Sequence, residues 1–207
     1  FCPENQLYYN QDTVGFVLYG PPACSLTPNQ LHILDGIFKE SHPADSICQV
    51  TLIGDYSTHC LLDYWKNAKG KSDHPVLNDL LKGLSQNRVN YLRSGQWQSL
   101  FSDQNYLLRD MHLLISYVIP VPKGISTTEM LDTDLQLVER FRNVLTGTLK
   151  TVGIPVQPLP PQGLINIVHR LLNPSSQARM PVQYDVNHLI NEQMVDHDTC
   201  AMVGPGA

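Results

Sequence analysis

At 207 residues the chain can build one good-sized domain, or one domain with a tail, and 42% hydrophobic residues exclude general disorder. The net charge is −5, from 14 Lys+Arg against 19 Asp+Glu. The densest basic cluster, Lys66, Lys69 and Lys71, is too short to neutralise the several phosphates that a duplex-binding surface must engage.

In chain order, Leu7-Tyr8-Tyr9 and Val14–Tyr19 are strand-like runs separated by the turn-forming Asn10–Thr13, which predicts a β-hairpin. The period of two puts Val14, Phe16 and Leu18 on one face. Gly20-Pro21-Pro22 ends the strand. A helix follows, with Thr27 as cap, Pro28 at the first helical position, Gln30 completing a capping box, and Leu26 and Leu31 at the staple positions. Its expected apolar side is Leu31, Leu34, Ile37 and Phe38. Ser46–Ile53 carries apolar residues on both faces, with Cys48, Val50 and Leu52 on one and Ile47 and Ile53 on the other. That pattern suggests an interior strand.

Two helical stretches come next. Cys60, Leu61, Tyr64, Trp65 and Ala68 mark the first; Leu77, Leu80, Leu81, Leu84, Tyr91 and Leu92 mark the second, stopped at Ser94-Gly95. Leu107–Val121 holds another strand, with Leu113, Ile115, Tyr117 and Ile119 alternating against His112, Leu114, Ser116 and Val118. Ser126 and Glu129 form a second capping box before a long helix to Val152, striped by Leu131, Leu135, Val138, Phe141, Leu145, Leu149 and Val152 and capped by Gly153. After the extended Ile154-Pro155-Val156, residues Pro160–Leu172 predict a last helix with Leu164, Ile165, Val168, Leu171 and Leu172. The expected class is α+β: a small, mostly antiparallel sheet of three to four strands covered by helices in two layers. The domain is expected to span residues 1–174, followed over 175–207 by an extended linker or partly disordered tail.

Catalytic motifs are sparse. Gly70-Lys71-Ser72 matches the end of a phosphate-binding loop, but Trp65 stands where the first glycine is needed and no buried strand precedes it. No metal-ligand spacing and no nucleophile elbow occurs. Five cysteines, at 2, 24, 48, 60 and 200, form no C-x-x-C pair, as suits reduced, buried thiols. A thiol enzyme would have to bring a cysteine such as Cys60 to a distant histidine. His112 is either a pocket residue or a half-buried or surface histidine. Arg109 and Asp110 are expected to pair and fix the start of their strand. Tyr64, Trp65, Trp97 and Phe101 are the candidate partner-binding residues, because Trp and Tyr are enriched at interface hot spots; a satellite core under the helices is the alternative. The longest apolar run, Leu113–Val121, contains Ser116 and Pro120 and is much shorter than the roughly 18 residues of a membrane span. No signal peptide is visible; Phe1 is not a start methionine, so the natural chain is expected to begin earlier.

Three stretches together carry a resemblance. They are Gln6–Asn10 followed by Val14–Leu18; Tyr106–Ser116, with Arg109-Asp110 ahead of an apolar strand; and Thr148–Pro155 with Leu164-Ile165-Asn166 and Leu171–Pro174. Asn191–Asp196 adds to them. In this order they resemble the N-terminal region of the TraC-type conjugation ATPases, the F-like branch of the VirB/CagE class. Met111 departs from the aromatic common at its place.

The resemblance implies a non-catalytic assembly domain of a type IV secretion ATPase that energises pilus assembly and DNA transfer. It implies an oligomer at the cytoplasmic face of the bacterial inner membrane, contacting inner-membrane channel proteins and neighbouring subunits. The ATP- and Mg-binding motifs would lie beyond residue 207, so no catalytic, cofactor-binding or metal residue is expected within this stretch. A stand-alone small cytoplasmic adaptor is the first competing expectation, and a thiol-dependent enzyme the second.

Overall fold

A computed structural model describes residues 1–39, 42–55, 58–69, 74–121, 132–173 and 181–195. The fold is α+β, around a five-stranded antiparallel sheet. The expected hairpin is β1 (Tyr8–Tyr9) with β2 (Thr13–Gly20), paired at Tyr8–Gly15 and Tyr9–Val14. β2 also pairs with β4 (Asp110–Pro120), a central strand whose Leu113, Ile115, Tyr117 and Ile119 are buried as their alternation predicts. At Gly15 these two backbones come so close that a Cβ would stand 2.0 Å from the Tyr117 carbonyl oxygen. Only glycine fits there.

Both edges of the sheet depart from expectation. Among the described residues β3 (Ile47–Asp55) is not interior: it pairs there only with β4, from Ile47–Val118 to Asp55–Asp110, and ends the order β1-β2-β4-β3. Its two apolar faces have separate causes. Ile53 packs with Leu159 and Ile167 on one side of the sheet, while Cys48, Val50 and Leu52 line an apolar groove on the other. At the opposite edge a fifth strand, β5 (Gln157–Pro158), pairs with β2 at Leu18 and Tyr19. The outer edge of β2 is thus closed by two short strands, β1 along its first half and β5 along its second.

The helices cover this sheet unequally. α1 (Pro28–Lys39) begins with the predicted box: the Thr27 N–H donates to Gln30 Oε1 at 2.8 Å, and the Gln30 N–H donates to Thr27 Oγ1 at 3.3 Å. Of its expected stripe only Ile37 is buried and Leu34 half-buried. Leu31 and Phe38 are exposed, because α1 flanks the groove instead of lying flat on the core. The main cover is the later helix Asp132–Thr151, whose Val138, Leu145 and Leu149 share one core with Val14, Phe16, Leu18, Ile115 and Tyr117. Leu135 and Phe141 pack against that core. Gly153, at φ +85°, follows as the left-handed C-cap. The capping box at Ser126 and Glu129 lies outside the described residues.

The last helix, Pro161–Leu172, takes the other face, over Val17, Tyr19 and Leu114. Its final apolar pair, Leu171 and Leu172, is exposed, and its buried side includes Ile167 and His169. Within the tail range, residues 181–195 run back along this helix. Gln162 Nε2 donates to the Val182 carbonyl, the Tyr184 N–H donates to Gln162 Oε1 at 2.8 Å, and Asn173 Nδ2 donates to the Met194 carbonyl at 3.2 Å.

Candidate docking surface

Adjacent antiparallel strands need only a short turn between them. Between β3 and β4 the chain instead inserts residues 56–109, which carry α2 (His59–Lys69) and α3 (Pro75–Ser94). The two helices pack on each other, and the buried Leu62, Ser85 and Val89 of this arm belong to neither core of the sheet. Polar contacts hold the base of the arm. Gln96 Nε2 donates to Thr58 Oγ1 in a buried bond, and Arg109 Nη1 donates to the Gln96 carbonyl at 2.9 Å. Arg93 donates to Asp63 at 2.9 Å across the two helices. The expected pairing of Arg109 with Asp110 does not form. Arg109 reaches back to the arm, whereas Asp110 turns to His112, whose Nε2 is 3.4 Å from its carboxylate.

The single apolar stripe expected along α3 divides in two. Leu81 and Leu92 are half-buried on the side of Ser85 and Val89. Leu77, Leu80, Leu84 and Tyr91, spaced by three, four and seven, form a second stripe, and each is more than half exposed. A two-helix hairpin buries one stripe of each member; a second stripe has no third layer to meet.

The candidate residues sit on this arm and on its return to the sheet. Trp65, on α2, is half-buried, with the Arg88 guanidinium 5.9 Å from its ring centre in a cation–π arrangement. With Leu81, Leu84, Ser85 and Arg88 it lines a cavity of about 320 Å³. Tyr64 is 76% exposed, Trp97 74% and Phe101 63%, so these three do not make a satellite core. Tyr91, Tyr106 and Leu107 are exposed on the same insertion and lie outside the candidate set. Their signal in the sequence is large apolar side chains in a segment with too few elements to bury them.

At the end of β3 and β4 a group of polar side chains is engaged with one another. His112 is half-buried; its Nδ1 lies 2.7 Å from the Tyr19 hydroxyl, and the two rings stack at 5.6 Å. Burial first, then the neighbouring Asp110 and Asp55 carboxylates, push the Tyr19 phenol above its ordinary range, partly offset by Arg170. Arg170 pairs with Asp55 at 3.0 Å and ties the last helix to the end of β3.

The thiols depart from the expected burial. Cys24 and Cys48 are exposed and Cys2 is half-buried, Cys48 because its strand lies at the sheet edge. The partial cover of the groove still pushes the Cys48 thiol up, the opposite of what a thiolate nucleophile needs. The Cys60 side chain and Gly70-Lys71-Ser72 lie outside the described residues. Among the described residues no helix is long and apolar enough to cross a membrane.

No curated protein and no solved structure matches the chain. A family model described as TraC protein matches residues 1–206. With its whole fold inside that match, the chain belongs to the TraC family of F-type conjugative transfer systems.

Proposed function

We propose that this chain is the assembly domain of a conjugative type IV secretion ATPase, and that it docks the motor onto inner-membrane channel components through the α2–α3 arm. The carrying observation is the open stripe Leu77, Leu80, Leu84 and Tyr91, together with the exposed Tyr64, Trp97 and Phe101. An exposed apolar stripe along one helix is the kind of surface that marks interaction sites on globular domains. A helical i, i+3, i+7 apolar row, with exposed aromatic side chains on the same insertion, suits a helix or apolar groove on a partner. Family membership supplies the conjugative context. On this proposal the stretch itself neither binds nor hydrolyses ATP, and the phosphate-binding loop lies beyond residue 207.

Photo-crosslinking tests the docking role. A photoreactive residue replaces Leu80 or Trp97 in cells carrying the complete transfer system, and the products are identified in the membrane fraction. Crosslinks from both positions to inner-membrane transfer proteins are expected, with none from the exposed Val186 as control. Equal labelling from all three positions, or products confined to the soluble fraction, would overturn it.

A further inference from the structure

The two edges of the sheet are finished in opposite ways. β2 is covered along its outer side by β1 and β5, two residues each, with Pro158 in the latter. Short strands and proline are common protections against edge pairing. β3 is nine residues long, and no described backbone group bonds its outer side. Ile47–Gly54 contains no proline, lysine or any other charged residue. Ile47 is 62% exposed, Val50 58% and Leu52 57%. The face carrying Cys48, Val50 and Leu52 is continuous with the groove of about 380 Å³ that Leu34, Ile37 and Phe38 of α1 flank.

We propose that β3 is a homotypic interface, pairing antiparallel with β3 of a second copy about a two-fold axis at Val50. The order of side chains argues for a second copy over a foreign strand. From Ile47 to Ile53 the pattern is apolar, apolar, polar, apolar, polar, apolar, apolar, the same in either direction. An antiparallel pair centred on Val50 sets Ile47 against Ile53, Cys48 against Leu52 and Gln49 against Thr51, so every residue meets its own kind. A two-fold interface demands this self-complementarity, and cross-strand matching of apolar with apolar and polar with polar stabilises the ladder. The paired stretch ends short of Asp45 and Asp55, which would oppose one another further out; Asp55 is already paired with Arg170. Pairing would join the two sheets and bring the two grooves together across the axis. Two strands of this length bury less than the roughly 1,600 Å² of a standard stable interface, so the dimer should be concentration-dependent. The proposal does not rest on the docking role of the arm.

Sedimentation velocity of the chain from micromolar to millimolar concentration tests it, beside Val50→Lys, Val50→Glu and their equimolar mixture. The expected results are a concentration-dependent dimer for the parent, monomers for each variant alone, and a heterodimer in the mixture, where opposite charges meet on the axis. A parent that stays monomeric throughout would overturn the proposal and leave the edge to another protein's strand. A dimer that persists in Val50→Lys, or a mixture of folded variants that stays monomeric, would overturn it as well. Should the variants not fold, the parent alone decides. Alkylation of Cys48, followed by peptide mass spectrometry, should slow several-fold as concentration rises, while alkylation of the exposed Cys24 does not. A Cys48 rate indifferent to concentration contradicts the interface.

Discussion

The sheet core and the α2–α3 arm are written in the same apolar alphabet and end in opposite states. Val138, on the long cover helix, and Leu80, on α3, both sit on stripes of helical spacing, yet Val138 is 0% exposed and Leu80 is 58% exposed. The difference lies in the number of layers available. The core helix faces β2 and β4, whose inward residues Val14, Phe16, Leu18, Ile115 and Tyr117 fill the space beneath it. α3 has α2 on one side, and among the described residues no further layer covers its second stripe. Periodicity records which residues share a face; it does not record whether the same chain supplies the cover.

Substitutions separate the two regions by size of effect. Leu145→Asp should be the most damaging, because it buries an unpaired charge where Leu145 is 3% exposed. A loss of more than about 4 kcal/mol by urea unfolding is expected. Gly15→Ala comes next, at about 2–3 kcal/mol, because the added methyl meets the Tyr117 carbonyl. Thr27→Ala removes the α1 cap and should cost about 1 kcal/mol. On the arm, Leu77→Ser, Leu80→Ser and Leu84→Ser should each stay within about 0.5 kcal/mol of the parent, as befits exposed positions. A Leu80→Ser variant as unstable as Gly15→Ala would mean that the arm stripe is covered after all.

A pH scan probes the sheet side of the contrast. The Tyr8 and Tyr19 phenols belong to the sheet region, and burial raises both. A raised folded-state pKa means that the contribution is present below the unfolded value, about 10, and is lost as pH climbs through the folded value. Stability should therefore fall above about pH 10. Tyr8→Phe and Tyr19→Phe should flatten that fall in urea titrations. A slope identical to the parent's in both variants would contradict the burial of these phenols.

Much of the fold is legible in the sequence. The hairpin, the Thr27–Gln30 box, the alternation in β4 and the stripe ending at Gly153 are local patterns with local causes, and each is present. The place of β3 is not legible, because apolar residues on both faces do not reveal whether a second strand pairs alongside; its faces are served by the groove and by the last helix. β5 is hidden because Gln157-Pro158 has little strand character of its own, and β2 supplies its pairing. The candidate surface is legible as residues but not as exposure. Tyr64, Trp97 and Phe101 have the composition of a core, yet among the described residues no layer covers them.

The central claim is that the arm's apolar stripe serves a partner rather than the fold. The most direct measurement pairs the Tm with conjugation frequency for the combined Leu77→Ser, Leu80→Ser and Leu84→Ser variant, placed in the natural gene. The expected result is a Tm within a few degrees of the parent and transfer reduced by about a hundredfold or more, as for loss of an interface hot spot. Normal transfer, or a Tm lowered as far as by Gly15→Ala, would contradict it.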